Sequence, residues 1–383
     1  MKPLVDMTTS EEVVYLRHAL HECPEIAGDE VRTANVITSF LRPFRPDRLF
    51  FNLGGWGVAA VFNGEADEPT VMFRCELDAI PLAEDEYTHT GARYAHLCGH
   101  DGHMAMVAGL APWLRQSKPP CRVVLLFQPA EETGEGALRV IQDPRFGEIK
   151  PDFAVALHNL PGFPTGTVVL RDGTFASSSV GLHITLVGHP SHAAEPEKAL
   201  SPLACMCALQ ERLQALAQTG REQQRRLVTI THMNLGEQSF GVTPGHGVIF
   251  VTMRSEKGQD LQDLRQESEA LVRECAASHG LEPALAWFDD FPETSSDERL
   301  VGALRDVCRD LEVPTVEEAV PFRWSEDFGH FNAICPSLFF GLGVGVDAPR
   351  LHQSDYRFPD EIIPTGVNVY HTLLGRISGL HRS

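Results

Sequence analysis

The sequence predicts an α/β protein: a mixed, mostly parallel sheet flanked by helices, with a separate α+β domain inserted into it. Three observations carry that expectation. Short apolar runs, some of them continuous (Gly57–Phe62, Thr70–Leu77, Arg122–Phe127, Phe153–Leu157), read as strands of a sheet buried on both faces. Helix-period segments alternate with them. Near residue 178 the texture switches: Val180, Leu182, Ile184 and Leu186 alternate with Gly181, His183, Thr185 and Val187. That pattern describes a strand with one face in a core and one more open.

The elements follow in order. Thr9-Ser-Glu-Glu12 has the form of a capping box and opens a helix carrying Val13, Leu16 and Leu20, stopped by Pro24. A second helix spans about Asp29–Arg42, ended by Pro43, and a third about Gly102–Gln116. In the inserted part, a helix at about Leu200–Gln218 precedes strands at Leu227–Met233 and Gly247–Arg254. A helix at about Asp260–Ser278 closes it at Gly280. The alternation then resumes with a helix near Glu298–Leu311, a strand at Ser337–Gly341, a glycine-rich turn at Gly341–Gly345 and a last helix near Thr365–Leu373. Residues 1–177 and 291–383 thus form one discontinuous domain and 178–290 the inserted one.

The net charge of −20 makes nucleic acid and anionic membrane poor partners. The nine cysteines are odd in number and scattered, with no C-x-x-C pair, which fits a reducing compartment better than a disulfide scaffold. The segment Met1–Glu12 does not read as a signal peptide, and no apolar run approaches membrane-span length. A cytoplasmic protein is expected.

Five segments place metal-capable or acid/base side chains at predicted strand ends, where open α/β sheets bind ligands. Glu76 and Asp78 end one strand, alternating so that both can face one side. His96-Leu-Cys-Gly-His-Asp-Gly-His103 packs three histidines, a cysteine and an aspartate into eight residues. If this segment is extended, Cys98 and His100 can face one ion, and thiolate with imidazole suits zinc. Asp101 and His103 fit an orienting role better than direct ligation. Glu131 and Glu132 follow another strand: one can bind metal while its neighbour handles a proton of water, or both can favour a helix start. His158 ends an apolar strand, and His352 follows the glycine-rich Gly341–Gly345 segment. Either alone would be an ordinary structural histidine; together with the other three segments they suit a site assembled at one sheet edge.

These segments resemble the binuclear-metal aminoacylase and carboxypeptidase family, in its hippurate hydrolase and indole-acetyl-amino-acid hydrolase branch. The similarity runs nearly end to end, through Arg17–Glu25, Asp78-Ala-Ile-Pro81, Cys98-Gly-His-Asp-Gly-His103, Phe127-Gln-Pro-Ala-Glu-Glu132, His158, Ser191-His-Ala-Ala194, Ser325-Glu-Asp-Phe328 and Leu351-His352. The resemblance implies a zinc-exopeptidase-like catalytic domain with a ferredoxin-like lid and dimerisation domain, acting as a homodimer. It implies two divalent metal ions, zinc or manganese first, with cobalt or nickel as alternatives. Cys98 would bridge them, Glu132 and His352 would complete one shell, and His100 and His158 the other. Glu131 would be the general base, Asp78 would orient a ligating imidazole, and His192 would stabilise the oxyanion. Arg254 is a candidate clamp for a substrate carboxylate.

The implied reaction is hydrolysis of N-acyl amino acids. Dipeptidase or carboxypeptidase cleavage, or cleavage of another small amide or aromatic amine, would use the same site. A cysteine hydrolase with Cys98 as nucleophile would leave Glu131, Glu132, His158 and His352 without a task, and a metal-storing protein would leave Glu131 without one. Three departures from the family bear on substrate: Glu76 stands where relatives usually carry Asp, Gly241 where they commonly carry Asn, and His189-Pro-Ser-His192 replaces a glycine-rich approach.

Overall fold

Residues 7–65, 69–82, 93–219 and 225–380 are described by a computed structural model, with side chains from Glu11 onward. The expected capping side chains Thr9 and Ser10, and the leader-free reading of residues 1–6, lie outside these. The chain divides into two compact units. One comprises Met1–Phe175, Thr294–Val320 and Asp327–Ser383, the other Ala176–Glu293 and Pro321–Glu326.

In the first unit the strands are β1 (Arg48–Leu53), β2 (Gly57–Phe62), β3 (Thr70–Glu76), β4 (Ile80–Pro81), β5 (Tyr94–Ala95), β6 (Arg122–Gln128), β7 (Phe153–Pro161), β8 (Val168–Leu170) and β9 (Gly173–Ala176). Those of the second unit are β10 (Ser178–Val187), β11 (Ser191–His192), β12 (Arg226–Leu235), β13 (Val242–Thr243), β14 (His246–Ser255) and β15 (Glu282–Phe291). The chain then adds β16 (Thr294–Ser296), β17 (Thr315–Glu317) and β18 (Ser337–Gly345). The α-helices, in order, are α1 (Met7–His21), α2 (Val31–Leu41), α3 (His100–Ala108), α4 (Ala111–Gln116), α5 (Gly136–Gln142), α6 (Leu203–Ala215), α7 (Gly258–Ser278), α8 (Glu298–Asp310) and α9 (Ile363–Leu380).

Eight strands form the main sheet in the order β1-β2-β6-β3-β7-β18-β8-β17. Its centre, β6-β3-β7-β18, is parallel. The pairs β1–β2, β2–β6 and β18–β8 are antiparallel. Strand β3 is buried throughout, as a central strand covered on both faces must be. Its alternation divides the labour: Val71, Phe73 and Cys75 join a core with α1, α3, α8 and α9, while Arg74 and Glu76 point to the other face.

The second unit follows the order β-α-β-β-α-β, with sheet order β12-β14-β10-β15, all antiparallel. Val180, Leu182, Ile184 and Leu186 of β10 pack in one core with Leu209 and Leu213 of α6 and Leu264 and Val272 of α7. The alternate residues Gly181, His183 and Thr185 are only partly covered.

Several local expectations need correction. The first helix begins at Met7, so Thr9 lies inside it. The expected helix over 102–116 is two helices, because Gly109 and Pro112 interrupt it; Pro112 sits in the first turn of α4, where its missing N–H costs nothing. Gly341–Gly345 is not a turn but the continuation of β18. Its glycines permit close packing: a Cβ at Gly343 would lie 2.2 Å from the Pro164 carbonyl oxygen. Strand β15 went unread because Pro283 and the Asp289–Asp290 pair break its alternation.

Candidate metal centre

Cys98 and His100 do not lie on an extended segment. Gly99 between them is left-handed, with φ of 89°, and His100 is the first residue of α3. A Cβ at Gly99 would sit 2.4 Å from Asn159 Oδ1, so only glycine fits. The two donors are thus set by a tight turn entering a helix.

At the end of β6, Ala130 has φ of 53°, a conformation that costs a non-glycine residue free energy. The buried carboxylate of Glu30 supports it by accepting the Ala130 N–H at 2.8 Å. The next two N–H groups, of Glu131 and Glu132, donate to the Asp78 carboxylate at 3.1 and 2.9 Å. Helix α5 starts only at Gly136, so the glutamate pair does not open a helix. Asp78 thereby has two tasks: its carboxylate holds the glutamate turn, and its main-chain carbonyl accepts the His100 Nδ1–H at 2.8 Å. That bond leaves His100 Nε2 for another partner.

His158 lies within β7, which runs on to Pro161. Its Nδ1–H donates to the Asn159 carbonyl at 2.9 Å, and its Nε2 lies 3.4 Å from Cys98 Sγ. His352 also has positive φ, 66°, and its N–H donates to the Leu97 carbonyl, which ties a distant segment to the Cys98 turn.

The side chains converge. The donor atoms of Cys98, His100 and His158 lie within 4.8 Å of one another, and so do those of Cys98, Glu132 and His352. Cys98 belongs to both groups. Glu132 Oε1 is 3.9 Å from His100 Nε2 and 3.6 Å from His352 Nε2. Glu131 forms a third group with His100 and Glu132. His100 Nε2 and Glu132 Oε1 are buried with no hydrogen-bond partner among the described residues, a costly state unless a cation takes them up. The donor set therefore fits divalent metal.

Electrostatics agree. Burial pushes the Cys98 thiol well above its ordinary range, and Glu132, Glu131 and Glu76 push the same way. Burial lifts Asp78 to about 7 and drops His158 to about 3. Burial also opposes charge on His100, but the carboxylates of Glu76, Glu132 and Asp78 outweigh it and raise its pKa. A cation among these groups would offset the carboxylates and favour the Cys98 thiolate. Beside it lies a cleft of about 610 Å³, lined by Glu132, His352 and the apolar Ile26, Ala79, Ile80 and Leu97.

Asp101 and His103 do different work. Asp101 accepts from His21 and Arg17 and so ties α3 to α1. His103 bridges Glu76 and Asn159. In the second unit, His192 pairs with Val242 in a two-strand ladder, and the Ala193 N–H donates to the Gly241 carbonyl at 3.0 Å, so His192 and Gly241 are neighbours there. Gly241 is exposed, with no atom within 4 Å of a built Cβ. Arg254 is partly buried and donates to Ser325 Oγ and the Arg323 carbonyl. Burial lowers its pKa. Glu30 and Asn159 were given no role from the sequence. Asn159 adjoins a singled-out histidine; Glu30 sits in an ordinary acidic stretch that carries no signal.

Fold and donor set together define a metal-dependent hydrolase. The chain belongs to peptidase family M20/M25/M40, whose model it matches over residues 72–376, and it acts on amide bonds. It is 28% identical to the N-acetyldiaminopimelate deacetylase of Exiguobacterium sibiricum over 365 residues, covering 94% of this chain and 97% of that one. It is 29% identical to the N-acetyl-L-cysteine deacetylase of Bacillus subtilis, covering 91% and 84%. The Bacillus subtilis YXEP protein, a dinuclear metal binding peptidase, shares the fold with a TM-score of 0.81, 23% identity, and coverage of 98% and 99%.

Proposed function

We propose that the protein hydrolyses the amide bond of N-acyl amino acids with two divalent cations, zinc or manganese, held by Cys98, His100, Glu132, His158 and His352. The observation that carries this reading is the convergence of those donors, which include two buried atoms with no hydrogen-bond partner among the described residues, His100 Nε2 and Glu132 Oε1. The deacetylase relatives support the substrate class.

Bound cations would acidify water and polarise the scissile carbonyl. Glu131 takes a proton from the attacking water and returns it to the leaving nitrogen. Its neighbour Glu132 is a donor, and the shared backbone anchor on Asp78 holds the two in fixed relation. His192 donates to the oxyanion. Arg254 pairs with the substrate carboxylate, and the apolar cleft beside His352 takes the acyl group. The unit at Ala176–Glu293 serves as lid and as the contact of a homodimer. The protein works in the cytoplasm, where the nine unpaired cysteines of the chain stay reduced.

The test is a panel of N-acetyl, N-benzoyl and indole-acyl amino acids beside dipeptides. Activity should vanish on chelation and return with Zn²⁺ or Mn²⁺. Glu131→Gln should lower kcat by roughly 10²–10⁴ while metal content holds. Full activity after complete metal removal, or in Glu131→Gln, would refute the reading.

A further inference from the structure

Behind the donor cluster lies a second, wholly buried polar chain. Arg74, Glu76, His103, Asn159 and Tyr356 are all at most 1% exposed. Arg74 pairs with Glu76 and with Asp327. Glu76 Oε2 lies 2.7 Å from His103 Nδ1, and His103 Nε2 lies 2.6 Å from Asn159 Oδ1. Asn159 Nδ2 donates to the Tyr356 hydroxyl at 2.6 Å. His103 Nδ1 faces the Glu76 carboxylate, and Nε2 faces both Oδ1 and the main-chain N–H of Asn159, the latter at 3.1 Å, so the ring cannot turn without breaking short contacts on both sides.

Asn159 is where this chain meets the donors. Its main-chain carbonyl accepts the His158 Nδ1–H, which points Nε2 at Cys98. Its side chain fills the space under the turn between Cys98 and His100, the space a Cβ at Gly99 would invade. The His103 ring also packs edge-on against His158, with centroids 4.7 Å apart. One asparagine therefore touches the supports of three donors, and His103 with Glu76 fixes that asparagine.

We propose that Glu76, His103 and Asn159 form a positioning relay that holds Cys98, His100 and His158 at cation-binding separation. The reach of Glu76 is part of it: the carboxylate spans from β3 to α3 while keeping its bond to Arg74. The relay rests on the two-cation reading of the site, and none of its members touches substrate.

The test uses the full-length, metal-free protein titrated with Co²⁺, followed by visible absorption, beside steady-state kinetics at saturating metal. His103→Leu should weaken cobalt binding by about 10–100-fold, shift the cobalt spectrum and lower kcat with little change in KM. His103→Gln, which keeps polar atoms facing both oxygens, should recover most of the affinity and the spectrum. If His103→Leu does not fold, Asn159→Ser carries the same comparison, since it removes the side-chain half of the bridge while keeping the main-chain carbonyl that His158 uses and the main-chain N–H that faces His103. A folded His103→Leu or Asn159→Ser with wild-type affinity and spectrum overturns the relay and leaves the hydrolase reading standing. Wild-type protein that binds no cobalt overturns both.

Discussion

At single residues, the site is a set of groups whose charges are wrong for water and right for a cation. Cys98 is the clearest case. Burial and three carboxylates hold its thiol protonated well above its usual range, so a metal must displace that proton to gain a thiolate. The sign follows: metal affinity rises with pH, and binding releases protons near neutral pH. Calorimetry in two buffers of different ionisation enthalpy should show that release, and Cys98→Ser should reduce it by about one proton per chain. The donor residues were legible in the sequence because cysteine, histidine and paired glutamates at strand ends are chemically loud. The supports were only partly legible: orienting roles were expected for Asp78, Asp101 and His103, but not the atoms through which they act, and none for Glu30. Asp78 acts partly through its carbonyl, a group every residue carries, and Glu30 acts through a contact spanning a hundred positions.

At the level of elements, tight turns present the donors other than His158, which lies in β7. Gly99, Ala130 and His352 all have positive φ, and two of the three have side chains that make this conformation costly. Periodicity predicts where strands and helices run, but it says nothing of a left-handed residue between them. That is why Cys98 and His100 read as an extended pair. Gly99→Ala should combine that backbone strain with the 2.4 Å approach to Asn159. We expect a loss of about 1–3 kcal/mol in urea unfolding and weaker metal binding. Gly147→Ala, where nothing lies within 4 Å of the new Cβ, should stay within about 0.5 kcal/mol of the parent. The central strands β2, β3, β6 and β7 were legible because each carries a short, mostly apolar run; β8 and β17, three residues each, are too short for any period to show.

For the molecule as a whole, stability depends on pH through histidines packed away from the site. His371 of α9 lies edge-on to Trp113 of α4, and burial lowers its pKa from 6.5 to about 4. The unfolded chain therefore binds the proton more readily, so stability is lost as pH falls from about 6.5 towards 4. The slope from this group is at most about 1.4 kcal/mol per pH unit, less for its partial exposure. Urea midpoints across that range should show the decline, and His371→Leu should flatten it.

The strand order of the main sheet has a consequence for synthesis. Strand β18 sits between β7 and β8, yet it is made last of the eight. While a ribosome is still extending the chain, β7 has an unsatisfied edge until residues 337–345 emerge, and His352 follows only after that. A nascent or truncated chain ending before Ser337 therefore exposes sticky backbone that invites association with other chains.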